Sequence, residues 1–192
     1  MEPNYKEVAG RIRALREDMG LTMLEMAEAT GRSVAEYQAQ ESGKEDMSFT
    51  FLYKSAAKLG VDPIELLTGE TPHLLGYTLT RANEGISIKR NVGLEYLHKA
   101  PHMKNKLAEP FFVTAQFRED LLDKPIHLSY HVGQELDYIL EGRMRFQYEE
   151  HTEELGPGDL LLYDSGRGHG MIAIDGAPCK FLAVVLKPQD IM

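Results

Sequence analysis

The character of the sequence changes at Thr71-Pro72, and this change constrains the fold more than any other feature. Before it, glycines from Gly20 to Gly69 recur at intervals that are typical of short helices ending in glycine caps. After it, short runs rich in Leu, Ile, Val, Tyr and Phe alternate with Gly, Pro, Asp and Asn, as strands and turns do. The sequence therefore predicts an α+β protein, with a helical domain over residues 1–70 and an all-β domain over residues 71–192.

Capping signals mark the helices of the first domain. Thr22 with Glu25, and Ser33 with Glu36, have the spacing of capping boxes, in which two side chains satisfy backbone groups at a helix start. Asp62-Pro63 combines a cap acceptor with proline at the first helical position. Together with the glycine spacing, these signals predict five helices.

The whole-chain composition narrows the class of protein. Lys and Arg number 21 against 30 Asp and Glu, a formal charge of −9, which argues against a surface that binds polyanions everywhere. The lone cysteine, Cys179, has no intramolecular partner, and the N-terminal residues lack the apolar core of a signal peptide. No stretch reaches the roughly 18 apolar residues of a membrane span. We therefore expect a cytoplasmic protein that is not embedded in a membrane.

The predicted second and third helices are separated by about three residues, the tight connection of a helix-turn-helix. Residues 8–67, including GLTMLEMAEATGRSVAEYQAQESGK, resemble the lambda-repressor-like helix-turn-helix domain of the xenobiotic-response-element class of regulators. In that family the helix that begins near Ser33 enters the major groove, and flanking residues contact phosphates. The resemblance implies an operator of double-stranded DNA as a partner. It implies the following DNA-contact residues: Thr22, Arg32, Ser33, Gln38 and Lys44.

The predicted DNA-reading helix departs from the usual pattern. Its exposed positions are expected to be Val34, Ala35, Gln38 and Ala39, and only glutamine among them is a bidentate base reader. Residues 1–70 hold 8 Lys and Arg against 13 Asp and Glu, whereas DNA-binding domains are typically basic. An alternative interpretation is therefore a docking or dimerisation module that has kept the scaffold and lost its groove contacts.

Two segments of the β domain, HLSYHVGQELDYILEG and GPGDLLLYDSGRGHG, resemble the two signature motifs of cupins. The resemblance implies a double-stranded β-helix, or jelly-roll, barrel. It also implies that His131, Glu135 and His169 are metal ligands, while Ser129 stands where the first cupin histidine is usual. His127 has the same strand parity as Ser129 and is a possible substitute.

Two imidazoles and one carboxylate at the mouth of a small barrel occupy one face of a metal and leave coordination positions open. Such a site suits Fe(II), and Mn, Ni, Co or Zn are alternatives by ligand type. The other interpretation is a hydrogen-bonded polar cluster in a metal-free barrel that binds a small organic ligand.

A helix-turn-helix followed by a cupin barrel is similar to a large group of bacterial transcription regulators in which the barrel is the presumed sensor. This resemblance implies a small-molecule effector, with or without a metal, and a homodimer that matches a twofold DNA site. The same domain order resembles the hydroxypropylphosphonate epoxidases, which are mononuclear non-haem iron enzymes. In that family the helical domain contributes a lysine to the substrate, where this chain has Gly20 and Leu21. A barrel that binds a ligand without DNA or chemistry is the third hypothesis.

Overall fold

The computed structural model describes residues 4–72, 74–89 and 93–187. The chain divides into two compact units. One runs through Thr78 and also contains Pro101–Lys104, and the other contains Leu79–Ala100 and the residues from Asn105 onward. In the described residues five α-helices precede nine strands, so the predicted fold class is confirmed.

The helical unit has the predicted number of helices and the predicted caps. Thr22 and Ser33 each accept a hydrogen bond from the backbone N–H three residues later, and both capping boxes are complete. No helix in the described part of the chain is long and apolar enough to cross a membrane. The helices are α1 (Tyr5–Asp18), α2 (Met23–Thr30), α3 (Val34–Glu41), α4 (Phe49–Leu59) and α5 (Pro63–Thr68).

A buried ion pair ties α1 to α3. Arg16 donates from Nε to Glu41 Oε1 at 2.6 Å and from Nη2 to Glu41 Oε2 at 3.1 Å, the bidentate arrangement of a strong charge-assisted pair. The Tyr37 hydroxyl donates to the same carboxylate at 2.7 Å, and its ring packs against Phe51 on α4. These contacts determine which side of α3 faces the core and therefore which side faces outward.

The β unit consists of two antiparallel sheets. The larger has the strand order β1-β2-β3-β9-β4-β7, and the smaller has the order β6-β5-β8. The strands are β1 (Ile86–Lys89), β2 (Leu94–His98), β3 (Ala108–Ala115), β4 (Gln134–Glu141), β5 (Met144–Tyr148), β6 (His151–Leu155), β7 (Leu160–Asp164), β8 (His169–Ala173) and β9 (Cys179–Leu186).

The core of the β unit lies between these sheets. Alternate residues of β3 and β9 are buried, as expected for strands with one face on a core. Phe146 of the small sheet contacts Tyr163 of the large sheet, with ring centroids 5.0 Å apart. The two sheets therefore enclose a barrel-like interior, and polar side chains lie together at one height along its strands.

Strand register determines where the polar side chains of the interior lie. Glu135 on β4 stands directly opposite Tyr163 on β7 and Val185 on β9. On the other sheet, His169 begins β8, and its backbone exchanges two hydrogen bonds with Ser129, at 2.8 and 3.0 Å. Side chains from distant parts of the chain are thereby directed into one region of the barrel.

Candidate functional sites

Three side chains converge inside the barrel with the geometry of a metal centre. His131, Glu135 and His169 each direct one ligand atom to a common point, with all three atoms within 4.8 Å of one another. His131 Nε2 lies 3.0 Å and His169 Nε2 lies 3.8 Å from Glu135 Oε2. All three residues are buried. The structure therefore brings together the three residues that the cupin resemblance implies as ligands.

The orientation of His169 suits metal binding. Its Nδ1 lies 2.9 Å from the carbonyl oxygen of Arg167, which can only accept, so Nδ1 carries the proton and donates. Its Nε2 therefore presents a lone pair toward Glu135. Burial lowers the pKa of His169, while the nearby Glu135 opposes that shift, and the net effect favours the neutral imidazole that a metal requires.

The donor set fits a divalent transition metal. Two ligands bound at about 2.1 Å to one ion lie roughly 3.0–3.5 Å apart, and the Glu135 distances to the two imidazoles are 3.0 and 3.8 Å. The two imidazole rings are nearly perpendicular, with centroids 5.2 Å apart. Two imidazoles and one carboxylate match the ligand preference of Fe(II) and of its neighbours in the series.

Two other positions were candidates for the place of the first cupin histidine. Ser129 lies beside His169 through its backbone hydrogen bonds. His127 is exposed and lies outside the cluster of potential ligands in the described residues. The strand parity of His127 was therefore not sufficient to predict a metal ligand, because this part of the chain does not belong to a regular strand.

A second buried carboxyl group lies next to the candidate ligands. Asp137 follows Glu135 by two residues on β4, so both point into the barrel. The Tyr163 hydroxyl donates to Asp137 Oδ2 at 3.3 Å, and Tyr163 also interacts with Glu135. Burial, and then the charge of Glu135, raise the pKa of Asp137 well above its usual range. Tyr163 therefore connects a metal-ligand candidate to a carboxyl that favours its neutral form.

A separate polar cluster lies on the large sheet at the same height along the strands as Glu135. Glu109 lies opposite Val185, which lies opposite Glu135. Glu109 Oε2 is 2.6 Å from His98 Nε2, and Lys187 Nζ is 3.1 Å from Glu109 Oε1. The Ala100 N–H donates to His98 Nδ1, so His98 Nε2 carries the proton that points at Glu109.

Neither Asp137 nor Glu109 was predicted from the sequence, because the two cupin motifs describe only the spacing of the metal ligands. The signal that could have identified them is a polar residue at an inward-facing position of an otherwise apolar strand. Asp137 sits between Leu136 and Tyr138 in β4 at the parity of Glu135, which is an inward position.

The five DNA-contact candidates of the helical unit occupy the α2–α3 region. Thr22 and Ser33 are exposed, and their hydroxyls serve the two capping boxes. Gln38 is exposed on α3, and Lys44 is exposed just beyond it. Arg32 is half-buried, directly before the cap of α3.

Arg32 lies close to a second cation. Burial lowers the pKa of Lys54 on α4, and the positive charge of Arg32 lowers it further. The Nε atom of Arg32 is buried and makes no hydrogen bond to the described residues. Two like charges near the start of α3 favour an anion there, as does the N-terminal end of a helix.

Comparisons with known proteins agree with the two-unit architecture. Residues 12–66 match the helix-turn-helix family model, and residues 123–185 match the cupin domain model. The chain joins a helix-turn-helix domain to a cupin domain. No curated protein matches it.

Solved structures resemble this chain in fold over nearly its whole length. A helix-turn-helix family transcriptional regulator from Vibrio cholerae is 23% identical, with a TM-score of 0.70, covering 96% of this chain and 97% of that one. The Fe(II) form of HppE is 20% identical, with a TM-score of 0.50, covering 95% and 99%. Hydroxypropylphosphonic acid epoxidase from S. wedmorenis is 21% identical, with a TM-score of 0.48, covering 97% and 100%. At these identities the likeness concerns the fold alone.

Proposed function

We propose that this protein is a DNA-binding transcription regulator, with a DNA-binding domain over residues 1–70 and a sensor domain over residues 71–192. The observation that carries the proposal is the pairing, in one chain, of a complete helix-turn-helix with a barrel that holds a buried polar site. The outward side of α3 is accessible, and no element of the helical unit packs on Gln38. A cytoplasmic location accompanies this function.

Phosphate contacts supply the sequence-independent part of the proposed DNA affinity. Arg32, Lys54 and Lys44 lie near the start and the end of α3, where the DNA backbone passes a reading helix. Because residues 1–70 carry a net charge of −5, the attraction is local, and we expect modest affinity that falls steeply with salt.

In the sensor domain, His131, Glu135 and His169 hold a divalent metal ion, with iron favoured by the ligand types. The metal, when bound, supplies open coordination positions for oxygen atoms of a small effector. Tyr163 lies beside the candidate ligands, with its ring 5.0 Å from the His169 ring. We expect the protein to adopt two arrangements that bind DNA with different affinity. An effector that binds one arrangement more tightly shifts the population toward it, and the size of the shift is set by the difference between its affinities for the two.

A homodimer accompanies this function, because a twofold operator is read by two copies of a helix-turn-helix. Part of the outer side of the large sheet, on β4 and β7, provides an apolar patch on an acidic chain. Leu160 and Leu162 on the edge strand β7 are 58% and 54% exposed, and Tyr138 and Leu136 stand opposite them on β4. A second copy approaches this surface with less repulsion than it meets elsewhere on a chain of charge −9.

The proposal is tested by DNA selection with the full-length protein. A random double-stranded library is passed over the protein at low salt, and bound sequences are measured by fluorescence anisotropy at several salt concentrations. We expect enrichment of a sequence with twofold symmetry, and a logarithmic decrease of affinity with salt. Arg32→Ala lowers affinity for all sequences, whereas Arg118→Ala, in the β unit, leaves it unchanged. Absence of both enrichment and salt-dependent binding contradicts the proposal.

One observation favours a second candidate function, that of a mononuclear non-haem iron oxidoreductase. Two histidines and one glutamate form the ligand set that leaves positions for substrate and dioxygen. The test is dioxygen consumption by the Fe(II)-loaded protein with a hydroxyalkylphosphonate, compared with a Glu135→Ala variant. Uptake that requires substrate and Glu135 supports this function, and equal uptake by both proteins contradicts it.

A further inference from the structure

The outward side of α3 contains the exposed Glu36 and four uncharged residues, Val34, Ala35, Gln38 and Ala39, which we call the reading face. Val34 is 41% exposed, Ala35 and Gln38 are exposed, and Ala39 is half-buried. The opposite side of the same helix contains Tyr37, Gln40 and Glu41, which are buried. The reading face is thus the side of α3 that meets a DNA groove.

Glu36, the acidic residue beside the reading face, is hydrogen-bonded at the start of α3. Glu36 Oε2 accepts hydrogen bonds from the Ser33 backbone N–H at 2.8 Å and from the Ser33 hydroxyl at 2.7 Å. The bond from the backbone, and then the bond from the hydroxyl, lower the pKa of Glu36 and keep it a carboxylate. They hold Oε2 at the start of α3, so the carboxylate is turned toward Ser33.

The chemistry of the reading face excludes the usual contacts to G·C pairs. Guanine is read by the two donors of Arg or Lys, and cytosine by a free carboxylate. The reading face contains neither kind of group. A glutamine side chain forms a bidentate pair with adenine N6 and N7, and aliphatic side chains contact the thymine methyl group. All four residues are thus of the types that recognise A·T pairs.

We infer that the reading face selects A·T base pairs, with Gln38 bonded to an adenine edge and Val34 packed on a thymine methyl group. Val34 and Gln38 are four residues apart, so their side chains lie on the same side of α3 about one turn apart. Adjacent base pairs of one half-site are within the reach of both. The inference rests on the proposed DNA-binding function and specifies the class of operator it requires.

The experiment uses the DNA sequences selected with the full-length protein. First, the base composition at the half-site positions is determined. Second, deoxyuridine replaces each thymine in turn, which removes only the 5-methyl group. The affinity of the wild-type protein falls about fourfold at the contacted thymine, the effect of burying one methyl group. Gln38→Ala weakens binding about 5-fold to 100-fold and relaxes the preference for adenine at one position.

Variants of Val34 separate a methyl contact from a general effect. In Val34→Ala the cost of deoxyuridine disappears, because the contact that the methyl group makes has already been removed. Val34 is partly exposed at the first position of α3, where alanine is a good helix former, so the variant keeps its fold. Leu107→Ala removes apolar atoms from a side chain that is 74% exposed in the β unit, and it retains the full deoxyuridine cost.

The outcomes distinguish this inference from the function on which it rests. A·T-rich half-sites with a Val34-dependent deoxyuridine cost support the inference. Selected half-sites that require guanine, or sites with no deoxyuridine cost, overturn it and leave DNA binding in place. No selected sequence and no salt-dependent binding overturn both.

Discussion

The buried pair between Arg16 and Glu41 is expected to dominate the stability of the helical domain. The side chains are 9% and 3% exposed, and the carboxylate accepts two bonds from Arg16 and one from the Tyr37 hydroxyl. Glu41→Ala leaves a buried cation and a buried hydroxyl without their acceptor. Breaking one partner of such a pair costs about 3–5 kcal/mol.

This cost is large compared with the stability of the domain. A domain of about 70 residues has a free energy of unfolding of roughly 4–10 kcal/mol. Loss of about 3–5 kcal/mol lowers the Tm by about 12 °C or more. The same change loosens α3, so DNA affinity falls together with stability.

The assay is thermal unfolding of the full-length protein followed by far-ultraviolet circular dichroism, which reports mainly on helices. Glu7→Ala is the matched control, because Glu7 pairs with Arg11 at 3.4 Å on the surface of α1 and its side chain is 63% exposed. Surface pairs contribute about 0–1 kcal/mol, so the control unfolds close to the parent. The triple replacement Arg16→Met, Glu41→Leu, Tyr37→Phe recovers stability, since no charge remains unpaired. If Glu41→Ala unfolds at the temperature of the control, the reasoning is wrong.

Three further predictions concern the barrel. Tyr163→Phe removes the hydroxyl beside Glu135 and Asp137 and is expected to weaken metal binding about 10-fold to 100-fold in a Co(II) titration. Tyr148→Phe, whose hydroxyl donates to the Asp164 carbonyl, is the control, and equal affinities of the two variants would exclude a role for Tyr163. Gly142→Ala is expected to destabilise the barrel by about 1–3 kcal/mol more than Gly158→Ala in chemical denaturation. Both glycines have positive φ, but only a Cβ at Gly142 meets the Pro178 carbonyl oxygen, so equal losses would refute the steric argument. Leu160→Glu with Leu162→Glu is expected to convert the proposed dimer to a monomer in light scattering, whereas Leu107→Glu leaves it intact. A dimer that survives the double change at Leu160 and Leu162 would contradict the proposed interface on β7.

Local signals were sufficient to predict much of the helical domain. The capping boxes at Thr22 and Ser33 and the proline start of α5 are local interactions, since they involve residues two or three positions apart. The same holds for the outward side of α3, which helical periodicity places opposite Tyr37. The Arg16–Glu41 pair was not predictable, because 25 residues separate its members.

For the barrel, too, some features were predictable from the sequence and others were not. Spacing within the first cupin motif pointed to His131 and Glu135, and the second motif pointed to His169. The position of His127, by contrast, was misjudged, because parity has meaning only within a regular strand.

The sequence by itself determined the change from helices to strands, the helix caps at Thr22, Ser33 and Asp62, and the residue types available to bind metal and DNA, because these depend on near neighbours along the chain. The tertiary structure alone decided which polar residues meet. Register places Tyr163 opposite Glu135 and brings Asp137 to its hydroxyl across 26 residues. It also places Glu109 on the same level, two strands away. Pairing between distant strands depends on the packing of the whole core, and no local pattern encodes it.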